Sequence, residues 1–456
     1  MVTAVAPPRF AGLDVHKREI TYCIIDAGGS VVERGKFALN RQNLQNFIGQ
    51  HLLRHDRVAL ESTTNCWAVA DVLRPCVARV LVSNPMATKA IAQSKIKTDK
   101  VDALVLAQLL RCDFLPEVWQ PDAATRQRRQ LSGRRASLVG QRTRMRNRIH
   151  SVLAMRLIEP PAKTSLFGKA GRAWLDALTE DEIDADGHDM IDADLRLLDA
   201  LQLEIDRFDS RLAQLGYEDR RVKLLMTMPG VSVVVAQALT AAFGDIDRFA
   251  TADKAAAYLG LVPSTKQSAK TCHHGPITKR GNSTARWMLV QAAQHMFRQS
   301  GPLGHFFRRL KSRKNHNIAV VATARKMAMI AWTMLRRNEP YRYSPPKSTA
   351  TKLAGLRIAA TGQKRTGGTA KGQKATAKLP GGSRTIKSLD TVYAEESLPP
   401  RHPLSAGESK HLEQSDTTAF VRSLHQDRVI PRRKTPNPET QKPNENKQIK
   451  PPNKNP

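Results

Sequence analysis

Between Phe10 and Phe114 the sequence switches repeatedly between short apolar, β-branched runs and stretches with helical spacing, an alternation that restricts this part of the chain to a sheet covered by helices. AGLDV, ITYCIID and VVERGKFAL read as three consecutive strands, with DAGGS as the turn between the second and third. RVALES and ARVLVS read as two more, each followed by a helical stretch. A meander of three strands continued by β-α units makes a mixed sheet.

That order of elements is how ribonuclease-H-like domains are wired, and it predicts an α/β domain over residues 8–118. From Ala123 to Ile158 the texture changes to ten arginines and no acidic residue, with Leu131, Leu138, Met145 and Val152 at sevenfold spacing. A helix with a thin apolar stripe and a broad cationic surface follows, and Arg134, Arg135, Arg142 and Arg146 are its candidate nucleic-acid contacts. A second long helix is expected from Ala193 to Leu215, where Leu198, Leu201, Ile205, Phe208, Leu212 and Leu215 step by three and four. Residues 123–217 therefore read as a helical, coiled-coil region, formed either within one chain or between two.

A mostly α-helical unit is expected over residues 220–340. Its Met228-Pro229-Gly230 resembles the turn of a helix-hairpin-helix, which presents backbone N–H groups to a DNA phosphate, although many helix pairs turn on Pro-Gly without touching DNA. Residues 344–456 are rich in Pro, Gly, Thr, Ser, Lys and Asn and hold 21 basic against nine acidic residues, so a disordered, cationic tail is expected.

A formal net charge of +32, from 73 Lys and Arg against 41 Asp and Glu, suits a polyanionic partner. Neither an amphipathic basic anchor nor a lipidation motif accompanies it, which argues against a membrane surface. Five scattered cysteines, Cys23, Cys66, Cys76, Cys112 and Cys272, have no CxxC spacing and point away from a disulfide framework or a zinc ribbon, toward a reducing, cytoplasmic setting. The start, MVTAVAPPRF, lacks signal-peptide character, and the apolar stretch Ile318–Leu335, interrupted by Arg325 and Lys326, reads as too short to span a bilayer.

Four carboxylates carry the chemical expectation. Asp14 ends the first strand and Glu61 ends another that lies beside it in a sheet of this kind; Asp99 and Asp102, three apart at a helix start, point from one face. Gathered together they repel, and a pair of Mg²⁺ ions relieves that repulsion while serving phosphoryl transfer. Taken singly, each acid also reads as a cap, Asp99 on a helix beginning at Lys100. His16 and Lys17 either lean over a scissile phosphate or end a strand. Lys279, Arg280 and Arg286, around Gly281-Asn282, either bind phosphate or form a solvated helix start. Cys272, His273 and His274 are adjacent, a spacing poorly suited to one metal.

GLDVHK, ALESTTNCWAVADVL, NPMATKAIAQSKIKTDKVDALVLAQLL, MPGVSVVVAQALTAAFGDIDRF, AAYLGLVPSTKQSAK and ITKRGNSTARWMLVQAA together resemble the Piv-related DEDD transposases of bacterial insertion sequences, over about residues 10–338 and in the family's order. The resemblance implies a RuvC-like N-terminal domain holding Mg²⁺ on Asp14, Glu61, Asp99 and Asp102. It also implies a C-terminal transposase domain that supplies a serine nucleophile, and, in some members, a structured element-encoded RNA that bridges donor and target DNA. The serine at the family position is Ser268, followed by Ala269 where the family carries glycine; Ser264 and Ser283 are the alternatives. The function implied is DNA strand cleavage and exchange by a homo-oligomer, a dimer or tetramer, acting on element ends and target. The competing readings are a RuvC-like endonuclease using metal-activated water and a non-catalytic nucleic-acid-binding protein. Cleavage with a covalent protein-DNA adduct, cleavage without one, and binding alone separate the three.

Overall fold

The computed structural model describes residues 7–91, 98–162, 165–268, 271–363 and 383–431, in two compact units that meet at Asp122 and Ala123. In the first, β1 (Phe10–Val15), β2 (Glu19–Ile25) and β3 (Val31–Ala38) form the antiparallel meander, followed by α1 (Arg41–His51), β4 (Arg57–Glu61), α2 (Cys66–Leu73), β5 (Arg79–Ser83), α3 (Pro85–Ile91) and α4 (Asp99–Arg111). The sheet order is β3-β2-β1-β4-β5, with β1, β4 and β5 mutually parallel.

Alternation along the strands sorts the two faces. Ala11, Leu13 and Val15 of β1 join Val58 and Leu60 of β4 in a core shared with Leu44 and Phe47 of α1 and Val69 and Leu73 of α2. Phe10, Ala59 and Leu81 face the other way, against Ala103, Leu106, Ala107 and Leu110 of α4. Gly12 permits that packing: a Cβ placed there would lie 2.0 Å from the Ala103 carbonyl oxygen and 2.6 Å from the Ala107 nitrogen. α4 is therefore laid directly on the β1 backbone, with its N-terminus fixed relative to the strand ends.

The second unit opens with α5 (Ala123–Ala154), α6 (Lys169–Asp176) and α7 (Ala185–Tyr217). α5 and α7 lie against each other in one chain, so the helical pair expected over 123–217 is formed intramolecularly. The cationic surface expected of α5 is narrower than the sequence suggests, with Arg134, Arg144 and Arg148 exposed. Arg128 pairs with Asp219, Arg135 with Asp209 and Arg148 with Asp194, while Arg129 donates to the Ala241 and Ala242 carbonyls. Three of the nine arginines of the helix are thus matched to acids of α7 and of the turn after it.

Next come α8 (Arg220–Met226), α9 (Val233–Phe243), α10 (Ala252–Tyr258), a two-stranded hairpin of β6 (Pro263–Ser268) and β7 (Thr271–Ile277), α11 (Ser283–Ala293), a 3₁₀ turn (Met296–Arg298), α12 (Pro302–Lys311) and α13 (His316–Arg337). α13 has 22 residues and is long and apolar enough to cross a membrane, which corrects the shorter span read from the sequence; Ala319, Val320, Ala324, Met327, Ala328 and Ala331 are nevertheless buried in the core of this unit.

The tail expected to be disordered is corrected as well. Beyond Tyr343 lie α14 (Pro346–Thr361), β8 (Ser383–Ile386), α15 (Leu389–Glu395), α16 (Ala406–Gln414), α17 (Thr418–Arg422) and β9 (Arg428–Pro431). Leu353, Leu356, Leu389, Val392 and Tyr393 enter the same core as α9, α11 and α13. A low average apolar content concealed a few large side chains at packing positions, and those suffice to dock short helices on an existing core. Residues 364–382 and 432–456, the rest of that tail, lie outside the described residues.

Candidate active site

The carboxylate site is assembled from the ends of three parallel strands and one helix start. Leu13 pairs with Leu60 and Glu61 with Ser83, so Asp14, Glu61 and Ser83 form one row across the carboxyl ends of β1, β4 and β5. Alternation puts all three on the α4 face, since Ala59 and Leu81, two residues earlier, pack against α4. The loop after β4 is tied to the end of β1 by Asn65 Nδ2, which donates to the His16 carbonyl at 3.1 Å.

Asp99 and Asp102 occupy the first turn of α4. The cap of that helix is Thr98, whose hydroxyl accepts from the Val101 N–H, so the alternative in which Asp99 does the capping does not hold. An acid in a first turn is favoured by the helix dipole in any case. What singles Asp99 out is its neighbour. His16 Nε2 stands 3.1 Å from Asp14 Oδ2 and 3.5 Å from Asp99 Oδ1, and ligand atoms of Asp14, His16 and Asp99 lie within 4.8 Å of one another.

The electrostatics of Asp14 follow from this crowding. Burial raises its pKa above the ordinary carboxylate range; His16 opposes the rise, and the charges of Asp99 and Asp102 add to it. The charge of Asp14 in turn raises the pKa of His16. Asp14 Oδ2 is buried and accepts no well-aligned hydrogen bond, His16 notwithstanding. A largely buried carboxylate beside a histidine and two more acids is a donor set that suits a divalent cation. His16 is the member whose place between Asp14 and Asp99 the sequence left open.

In the second unit Ser268 is the last residue of β6, exposed, and paired with Thr271 across the hairpin end; Ala269 lies outside the described residues. Ser264 Oγ donates to the Pro276 carbonyl at 3.1 Å, which ties it into the hairpin base, and Ser283 is exposed at the start of α11 behind its Asn282 cap. Below the hairpin the backbone is clamped: Lys279 and Gly281 have φ of 54° and 78°, and a Cβ on Gly260 would sit 2.3 Å from the Arg280 carbonyl oxygen. Arg286 braces this turn by donating to the Leu259 and Arg280 carbonyls, which corrects its nomination as a phosphate ligand, while Lys279 and Arg280 are exposed. Cys272 and His273 are successive strand residues and point to opposite faces, against a shared metal.

Of the α5 arginines, Arg135 is held by Asp209 at 2.7 and 3.0 Å and Arg142 by Gln202, whereas Arg146 lies over the Phe167 ring. These contacts occupy side chains that the sequence offered to nucleic acid. The acids of α7 were the signal that pointed to it.

Comparison with known proteins agrees with this geometry. A DEDD transposase family model matches residues 11–156, and one for transposases of the IS116/IS110/IS902 family matches residues 222–307. The chain is 26% identical over 346 residues to a "Probable family 20 transposase" of Pseudomonas aeruginosa, covering 73% of this chain and 98% of that protein. It is 30% identical over 139 residues to the transposase for insertion sequence element IS1111A of Coxiella burnetii, covering 30% of this chain and 38% of that one. A pilin gene-inverting protein of Moraxella lacunata is 25% identical over 279 residues, covering 58% and 74%.

Proposed function

Since the chain belongs to the IS110-type family of DEDD transposases and is a DNA transposase/recombinase, we propose that Asp14, Glu61, Asp99 and Asp102 hold divalent metal, two Mg²⁺ ions, and that Ser268 is the nucleophile toward DNA. The observation that carries the metal reading is the crowding of Asp14, His16 and Asp99, whose ligand atoms lie within 4.8 Å of one another, with Glu61 in the same row as Asp14. When bound, such ions stabilise charge on the attacking and leaving oxygens of a phosphoryl transfer. The chain's own residues do the rest: β1 and β4 present Asp14 and Glu61 side by side, and α4 brings Asp99 and Asp102 to the same edge.

Ser268 supports the nucleophile reading by its place at an exposed hairpin end, where a strand can reach its hydroxyl. In the proposed step the serine oxygen bonds to phosphorus as a deoxyribose oxygen leaves, and the proton lost from serine is balanced by the one gained on that leaving hydroxyl. A hydroxyl of a second DNA end then displaces the serine, so the bond energy is conserved and no ATP is needed. Element ends and target DNA are the substrates, in a bacterial cytoplasm, with an element-encoded RNA guiding a dimer or tetramer. Lys279, Arg280 and Arg134, which are exposed, are the proposed backbone contacts.

Suicide DNA substrates carrying an element end test this. Wild-type protein should form a covalent adduct that maps to Ser268, and Ser268→Ala should lower strand exchange at least about a thousandfold. Cleavage without any adduct would replace serine attack by hydrolysis; an adduct on Ser264 or Ser283 would move the nucleophile.

A further inference from the structure

A cavity of about 350 Å³ opens between α12, α13, the Glu339–Tyr343 segment and α16, and its lining includes neither the hairpin serine nor the carboxylates of the metal site. Its walls are apolar and aromatic: Leu303, Phe306, Ile330, Met334 and Tyr343. Tyr343 is half-buried and meets Tyr341 edge-on at 5.7 Å, so its ring is held in place. Three cations, Arg309, Lys326 and Arg337, line the cavity and are exposed; Arg309 lies 5.8 Å over the Phe306 ring, and among the described residues none of the three is paired with a carboxylate. The two carboxylates there share one arginine, Arg342, which pairs with both Glu339 and Glu408, so the cavity's three further cations outweigh the charge that remains. Thr333, whose hydroxyl donates to the Met329 carbonyl and keeps its lone pairs, and His411 on α16 offer polar groups to a ligand edge. An exposed basic run, Arg309, Lys311, Arg313 and Lys314, leads away from the cavity along the end of α12.

We propose that this cavity receives one unstacked nucleobase of a single strand, stacked on Phe306 or Tyr343, while Arg309, Lys326 and Arg337 hold the flanking phosphates. The size matches the lower range of small-ligand sites, and the combination of aromatic rings with cations free of carboxylate partners is how proteins hold single strands. A lipid or an apolar peptide would leave the three cations without a partner; a phosphate alone would leave the apolar walls unused. A base with its phosphates uses both. The strand is DNA or RNA, since the stacking face and the phosphates are common to the two.

The inference does not depend on metal or on Ser268, and its test is binding alone. Single strands of about twelve nucleotides, within the span such sites cover, would carry one 5-iodouracil, as deoxyribose in one arm and ribose in the other, and be irradiated with the full-length protein. Cross-links mapped to Phe306 or Tyr343 are expected in at least one arm, and the arm identifies the strand. Phe306→Ala should weaken that strand about tenfold, as loss of one base-aromatic stack does, and Phe306→Trp should restore it. The surface variant Arg309→Ala/Lys326→Ala/Arg337→Ala, which touches no core position, should weaken binding and flatten its salt dependence by about three phosphate contacts. Cross-links that fall elsewhere in both arms, or Phe306→Ala and the triple variant both binding within twofold of wild type, would overturn the proposal.

Discussion

At the scale of single residues, Asp14 concentrates the chemistry and the cost. Its folded-state pKa lies above the unfolded value, because burial and the neighbouring acids disfavour its charge. The folded protein therefore binds more protons than the unfolded chain once pH exceeds the ordinary carboxylate value, and stability contributed at this position falls as pH rises through that window. Asp14→Asn should accordingly raise the melting temperature in metal-free buffer while abolishing strand exchange. Magnesium gives the complementary readout: at a hundredfold excess over its Kd it should stabilise wild-type protein by about 2.7 kcal/mol, and Asp14→Asn should remove that gain in a calorimetric titration. Arg134 and Arg135 make a second residue-scale contrast. Arg135→Ala breaks the pair with Asp209 and should lower thermal stability with little change in the salt slope of DNA binding, whereas Arg134→Ala should reduce that slope by about one and leave the melting temperature unchanged.

At the scale of elements, α4 couples the sheet to the site. The helix lies on β1 only because Gly12 has no side chain, and Asp99 and Asp102 ride on its first turn. Gly12→Ala should cost about 1–3 kcal/mol through overpacking and also blunt the magnesium-dependent stabilisation, because the helix start is pushed from the strand ends. Unchanged magnesium response in a destabilised Gly12→Ala protein would show that the acids are placed by something other than this contact. The strands themselves were legible, since period-two alternation and β-branched runs are local signals, and the register that sets Glu61 beside Asp14 follows from parallel strands starting together. The β6-β7 hairpin was not, because PSTKQS and TCHHGPI carry no apolar alternation; pairing between neighbours in sequence made the strands.

At the scale of the whole molecule, the segment after Tyr343 belongs to the second unit. Lys352 on α14 reaches beneath the Met-Pro-Gly turn and donates to the carbonyls of Met226, Met228 and Val231. Burial pulls its pKa down to about 7 although those carbonyls receive its protons. Between that value and the ordinary lysine range the unfolded chain binds more protons, so stability should rise with pH by at most about 1.4 kcal/mol per unit, and Lys352→Met should remove that contribution when urea unfolding is followed from pH 7 to 9. Truncation after Tyr343 should expose the core around Leu353, Leu356 and Tyr393 and give an aggregating or unfolded second unit by circular dichroism. A fully folded truncation product would return that segment to the status of a dispensable tail.

By itself the sequence determined what is set by neighbours along the chain: the strands of the first unit, the long helices and the positions of four carboxylates at element ends. The tertiary structure alone decided which partner each exposed-looking group would take. The α5 arginines turned to α7, His16 came to rest between Asp14 and Asp99, and the polar C-terminal segment docked on a core. Periodicity is a local property of the backbone, whereas the choice of partner is a long-range competition among charge, burial and packing that no short window of residues contains.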